Sequence, residues 1–195
     1  MNSDNWPPCI VTAFDLVGTR SAAPSGQASS AMIQMHRLAV EKINAGLPNH
    51  SYGYVWNDSV LLLSYIDKPA AQRRTVLNEL SEFKHALDTQ CGKAYAISVM
   101  GLAFPHDKLG GNIATQSRAV VLRTSSWAMA NCFHIEEKLG RHRADWYIDS
   151  RITNNISLPP PFVFEKLKLM PQNELRTVNM YKGYFHQLNG SASIL

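Results

Sequence analysis

Between "YGYVW" (52–56) and "SVLLLSYI" (59–66) stands the pair Asn57-Asp58, and no other feature limits the fold so tightly. Two aromatic and β-branched runs joined by two residues that tolerate left-handed backbone read as a β-hairpin. Ahead of it, "IVTAFDLV" (10–17) is an apolar run of strand length bounded by Pro8 and Gly18. Between that strand and the hairpin, Ala31, Met32, Met35, Leu38, Ala39 and Ile43 recur at helical spacing. The spacing predicts a helix over 28–45, stopped by Gly46 and Pro48. A strand, a helix and then a hairpin form the first half of a split β-α-β arrangement.

The rest of the chain continues the pattern. Pro69 suits a first helical turn, and Val76, Leu77, Leu80, Phe83 and Leu87 make the buried stripe of a second helix. "KAYAISVMGLAF" (93–104) predicts a strand, "PHDKLGGNIATQ" (105–116) a loop or hairpin, and "RAVVLR" (118–123) a further strand. A third helix is expected over 125–139 with a serine at its start, then a short strand "DWYID" (145–149). "ISLPPPF" (156–162) reads as an extended connector, and "PFVFEKLKL" with "LRTVNMYKGYFHQL" as a closing hairpin. The order predicts an α+β fold, a mixed sheet with helices packed on it, as one domain over 1–195 with its core at about 9–188.

Composition narrows the function classes. A hydrophobic share of 45% against 17% charged residues marks a chain that buries a core. Net charge of +4 suits an anionic ligand, but the lysines and arginines are too scattered to mark a nucleic-acid partner. Cys9, Cys91 and Cys132 are odd in number and lack a C-x-x-C spacing, which sets aside a disulfide framework or zinc site and favours a reducing compartment. The histidines show no H-x-x-x-H or H-x-E pattern. "LGGN" (109–112) lacks Walker spacing and reads as a turn, and the basic stretch "GRHRADW" (140–146) reads as a solvated helix end. The polar, Pro-broken start is unlike a secretory signal, and "AYAISVMGLAFP" (94–105) is too short to span a bilayer. A cytoplasmic protein with no membrane partner is the expectation.

Two acids stand out. Asp15 closes the first apolar strand directly ahead of Gly18 and Thr19, and Asp58 sits in the hairpin turn. In a β-α-β-β arrangement the end of the first strand can lie beside that turn, so the two carboxylates can meet at one edge of the sheet. Paired acids suit hard divalent cations, and two ions about 4 Å apart can activate an attacking oxygen and stabilise a leaving phosphate. Gly18 and Thr19 would let backbone N–H groups approach the phosphates. The local alternative is that aspartates at strand ends and in tight turns serve the turn alone.

At these residues the chain resembles a known family. "FDLVGTRS" is similar to the first metal motif of class III nucleotidyl cyclases, and "WNDSVLLL" to their second, with the element order matching as far as "TVNMYKGYF". The resemblance covers about residues 9–188 and implies the ferredoxin-like βαββαβ core of that family. It implies that Asp15 and Asp58 hold two Mg²⁺ or Mn²⁺ ions, with the Leu16 carbonyl as a third ligand. It implies that the backbone of Phe14 and of Val17, Gly18 and Thr19 holds a nucleoside triphosphate, whose ribose 3′-hydroxyl attacks the α-phosphate. Family sites form between two subunits, so a homodimer is implied.

Two departures sharpen the expectation. Purine cyclases of the family place a base-reading lysine four residues before the second aspartate, where this chain has Tyr54. A phenol can stack or donate one hydrogen bond but supplies no cation. In this the chain resembles the bacterial pyrimidine cyclases of Pycsar antiphage operons, which implies UTP as the favoured substrate, cyclic UMP as product and a cyclic-nucleotide-activated effector as indirect partner. Second, the family's third helix carries an asparagine and, four residues on, a transition-state arginine; here Asn131 is followed by Ile135. Arg118 or Arg123, on the preceding strand, are the substitutes, with Arg118 taken as catalytic because a guanidinium fork matches phosphate charge. The alternatives are a purine cyclase with altered base recognition and a catalytically silent cyclase-fold module binding a nucleotide or a partner. An RNase H-like or actin-like phosphotransferase would want a hairpin directly after "FDLVGT", where this chain predicts a helix.

Overall fold

The computed structural model describes residues 6–19, 26–46, 51–66, 69–103, 113–116, 119–122, 127–139, 144–158, 163–165 and 185–188. The elements are β1 (Pro8–Leu16), α1 (Gln27–Asn44), β2 (Ser51–Trp56), β3 (Ser59–Tyr65), α2 (Pro69–Gln90) and β4 (Ala94–Leu102). After them come β5 (Ile113–Gln116), β6 (Ala119–Leu122), α3 (Trp127–Leu139), β7 (Trp146–Asp149), α4 (Ser150–Thr153), β8 (Val163–Glu165) and β9 (Phe185–Leu188).

Seven strands form one sheet in the order β2-β3-β1-β4-β7-β9-β8, and β5 and β6 pair as a separate hairpin. Among the described residues, only the β4–β7 pairing in the large sheet is parallel. The first four strands, ordered β4-β1-β3-β2 with α1 and α2 as crossovers, are the expected βαββαβ core. The expected closing hairpin is present as β8 paired with β9, while "ISLPPPF" is preceded by the one-turn α4, which the sequence reading did not include.

Strand side chains alternate between two faces, and each face has its own core. Ile10, Phe14 and Leu16 of β1 point toward α1 and α2, where Met35, Leu38, Leu77, Leu80 and Phe83 enclose them. Cys9, Val11 and Ala13 point the other way, with Leu61, Leu63, Tyr95 and Ile97, and are covered by Ala128, Cys132 and Ile135 of α3. By the same alternation Asp15 belongs to the α3 face. Gly101 on β4 explains how closely α3 lies: a Cβ there would come within 2.9 Å of the Ala128 Cβ and 3.0 Å of its backbone.

A small polar network runs through the first core. The Thr12 and Ser98 hydroxyls are 2.8 Å apart on neighbouring strands, and the Trp146 indole N–H donates to Ser98 Oγ at 3.0 Å. All three residues are fully buried, so each polar atom depends on the others. Ser98→Ala is therefore expected to lower the unfolding free energy by about 1–3 kcal/mol, the usual cost of stranding buried donors. Urea denaturation measures it; an unchanged midpoint would show that the network is not needed.

Candidate functional site

The central position of β1 creates the site. It is hydrogen-bonded to β3 on one side and β4 on the other, so whatever lies at its C-terminal end is bordered by both. The two acids approach there, Asp15 near the C-terminal end of β1 and Asp58 in the turn that joins the edge strand β2 to β3. The Leu16 amide donates to the Asp58 carbonyl at 3.0 Å, and the Val17 amide to the Lys93 carbonyl at 2.8 Å. Asn57, at φ 47°, turns the hairpin in the left-handed region that asparagine tolerates. The His36 ring of α1 donates Nε2–H to the Asn57 carbonyl at 2.6 Å, so the first helix also holds this turn.

The register builds a row of side chains. Trp56 pairs with Ser59, Ser59 with Asp15, and Asp15 with Tyr95, all on the face that α3 covers. Ser59 Oγ donates to Asp15 Oδ1 at 2.6 Å. Thr19 Oγ1 donates to Asp58 Oδ2, which places the residue after Gly18 against the second acid. Gly18, at φ 85°, makes that return of the chain possible. From α3, Glu136 accepts the Tyr95 hydroxyl hydrogen bond at the end of the row.

Electrostatics mark Asp15. Burial pushes its carboxyl up to about 6, the nearby charges of Asp58 and Glu136 push the same way, and the Ser59 and Tyr95 hydrogen bonds only partly oppose them. Tyr95 is held well above the ordinary phenol range, first by burial and then by its bond to Glu136 and the charge of Asp15, so it stays protonated. A desolvated carboxylate beside like charges fits a cation in a way that a plain turn cap does not. Among the described residues no three His, Cys, Asp or Glu side chains are grouped to hold one ion. A pair of aspartates still fits Mg²⁺ or Mn²⁺, since such ions take one or two carboxylates and fill their other positions with water and phosphate oxygens.

Beside the pair is a cavity of about 280 Å³, lined by Leu16, Val17, Gly18, Thr19, Ala31 and Lys93 among others. Lys93 stands at its border, exposed and paired with Asp145 at 2.8 Å.

The other expected residues fall in different places. Phe14 is fully buried, flanked by strands on both sides and packed edge-on against Phe83 at 5.0 Å, so it supports the turn from beneath. Tyr54 is only 6% exposed and packs in the α3-face core, so its ring is not an open platform in the single chain. Ile135 is buried in that same core, and α3 presents Glu136 where a cation was sought. Arg118 and Arg123 lie outside the described residues. Sequence reasoning missed Ser59, Tyr95 and Glu136. Tyr95 is the one aromatic residue of its strand, but nothing local shows that it faces Asp15; Glu136 was hidden in an ordinary "EEK" run.

No protein-family model matches the chain, and no curated protein matches it. Solved structures do. A bacterial light-regulated adenylyl cyclase superimposes with a TM-score of 0.55 at 7% identity, over 96% of this chain and 92% of that one. The non-canonical dimeric guanylyl cyclase domain of the RhoGC fusion protein from the aquatic fungus Blastocladiella emersonii gives 0.53 at 12% identity, over 96% and 98%. The catalytic core of a rhodopsin-guanylyl cyclase with converted specificity, in complex with ATPαS, gives 0.54 at 12%, over 94% and 96%. The chain thus has the fold of class III nucleotidyl cyclase catalytic domains, as the two short motifs implied.

The raised Asp15 carboxyl has a consequence for stability. A carboxyl that ionises near 6 when folded and near 3.8 when unfolded leaves stability intact below about pH 4 and erodes it as pH rises through 6. Asp15→Asn is expected to stabilise the metal-free chain at pH 8, by about 1 kcal/mol once solvent access to this half-buried site is allowed for, and to add nothing at pH 4. Denaturation with EDTA at both pH values checks it; a loss of stability at pH 8 would contradict the electrostatic picture.

Proposed function

We propose that this chain is a divalent-metal-dependent nucleotidyl cyclase that converts UTP to 3′,5′-cyclic UMP and pyrophosphate. One observation carries the reading: on a cyclase fold, Asp15 and Asp58 converge at the end of the central strand beside a glycine turn and a cavity. In the reaction the ribose 3′-oxygen forms a bond to the α-phosphorus, the bond from that phosphorus to the bridging oxygen breaks, and the hydroxyl proton leaves to solvent. Bound Mg²⁺ or Mn²⁺ would lower the cost of deprotonating the hydroxyl and neutralise charge on the departing pyrophosphate.

The chain's own residues then have definite tasks. Asp15, Asp58 and the Leu16 carbonyl hold the ions, and Ser59 and Thr19 fix the two carboxylates through their hydroxyls. Val17, Gly18 and Thr19 line the cavity that would receive the phosphates, with the Val17 amide already given to the Lys93 carbonyl. Phe14 carries the turn from below. Arg118 is kept as the residue that balances the transition-state charge. Tyr54 favours a pyrimidine: it supplies no cation four residues ahead of Asp58, and its ring is packed in the α3-face core.

Trp56 and Phe133 support a homodimer. Their rings lie 6.4 Å apart at 59°, both more than a third exposed, on the face that holds the acids. Exposed aromatics beside a site are suited to burial against a second subunit. The biological reading, a cytoplasmic second-messenger synthase in bacterial antiphage defence with a cyclic-nucleotide-activated effector downstream, follows from the pyrimidine assignment. No helix among the described residues is long and apolar enough to cross a membrane.

A second reading has its own observation. Ile135 is buried and Glu136 is acidic where a catalytic cyclase helix would offer an arginine, which favours a silent nucleotide- or partner-binding module. One assay separates the readings. The purified chain is incubated with ATP, GTP, CTP or UTP and Mn²⁺, and cyclic product is identified by mass. Cyclic UMP should dominate, and Asp15→Asn or Asp58→Asn should each reduce turnover by more than about 100-fold, beyond the cost of losing an outer contact. Cyclic AMP as main product would overturn the pyrimidine assignment, and no product from a verified dimer would leave the silent module.

A further inference from the structure

We propose that His36 of α1 is a positioning residue for Asp58: its hydrogen bond to the Asn57 carbonyl selects the orientation of the turn peptide and so aims the second carboxylate. The inference rests on reading Asp15 and Asp58 as cation ligands and adds to it a residue from outside both motifs.

Trp56 pairs with Ser59 across the hairpin, so Asn57 and Asp58 are the two central residues of the turn. φ is positive at Asn57, 47°, and not at Asp58. That sign pattern belongs to the II′ turn, whose first central position glycine normally takes. Asparagine at that position is better suited to the I′ turn, in which both residues have positive φ. The two turns differ by a rotation of the central peptide, whose carbonyl is that of Asn57. The turn therefore runs against its local sequence preference, and a backbone held that way points to a restraint from outside.

His36 supplies the restraint. A carbonyl oxygen only accepts, so the ring donates, and its Nε2–H meets the Asn57 oxygen at 2.6 Å. The peptide unit is planar, so fixing that oxygen also fixes the Asp58 nitrogen and Cα. The next peptide is held from β1, where the Leu16 amide donates to the Asp58 carbonyl at 3.0 Å. With the peptides on both sides of its Cα held, Asp58 has one direction in which its side chain can leave the backbone. The Thr19 hydroxyl then holds the carboxylate itself. The helix is well placed for this task. Ile43, seven residues after His36 and on the same face of α1, lies against Gly53 of β2, where a Cβ would come within 2.1 Å of its Cδ1.

Mn²⁺ binding to the full chain without nucleotide, followed by electron paramagnetic resonance, tests this apart from catalysis. His36→Leu removes the donor and keeps the helix, and is expected to weaken Mn²⁺ binding about tenfold. His36→Gln can bring an amide N–H to the same carbonyl, and should cost about threefold or less. In an Asn57→Gly background the turn takes the II′ form unaided, so His36→Leu should again cost about threefold or less. Equal losses in His36→Leu and His36→Gln, or an equal cost of His36→Leu with and without Asn57→Gly, would overturn the role given to the hydrogen bond. Unchanged Mn²⁺ affinity in His36→Leu, whatever its urea midpoint, with binding lost in Asp58→Asn, would overturn the inference while leaving the aspartate site standing. Unchanged affinity in Asp15→Asn and Asp58→Asn would instead remove the cation reading, and this inference with it.

Discussion

A backbone hydrogen bond from the Leu16 amide to the Asp58 carbonyl, 3.0 Å long, fixes the geometry on which the site depends. It extends the β1–β3 ladder by one step into the hairpin turn, and so joins two segments far apart in sequence at the point where each carries an acid. The register behind it is equally strict. A slip of one residue would move Asp15 to the α1 and α2 face and Phe14 to the α3 face. The two apolar faces of β1 prevent that slip, because Ile10, Phe14 and Leu16 fill one core and Val11 and Ala13 the other. The hydrophobic pattern of a strand therefore determines where a carboxylate points.

The site opposes the stability of its own scaffold. A desolvated aspartate near two other acids is unfavourable in the absence of a cation, and sites of this kind persist only where the surroundings enforce them. Here the enforcement comes from both faces of the sheet. The Thr12–Ser98–Trp146 network ties β1, β4 and β7 from one side, and α3 packs closely over Gly101 from the other. His36 holds the hairpin turn from α1. A bound cation would convert the unfavourable charge cluster into a favourable one and so link the folding of the β1 turn to ligand occupancy.

Much of this was legible in the sequence because the patterns were strong. The strand-helix-hairpin opening was set by the Asn57-Asp58 pair and by a helical stripe from Ala31 to Ile43 that has no competing period. Asp15 was visible as an isolated acid between apolar neighbours, and Asp58 as the second residue of the turn pair. Ser59 escaped notice, since a hydroxyl at a strand end has many local uses, and Thr19 was read for its backbone rather than for the hydroxyl it gives to Asp58. Tyr95 and Glu136 required knowledge of which strand faces which helix, and no local period carries that. Tyr54 shows the opposite limit: its place in the motif was readable, whereas its burial at 6% exposure depends on α3, which comes from much later in the chain.

The central claim is that Asp15 and Asp58 jointly hold divalent cations. Its most direct test is a crystal structure of the chain grown with Mn²⁺ and a non-cyclisable UTP analogue, read by anomalous scattering. The account predicts a manganese peak within about 2.0–2.6 Å of carboxylate oxygens from both residues, with phosphate oxygens completing the shell. Analogue bound without such a peak between the two aspartates, or manganese held elsewhere, would contradict it.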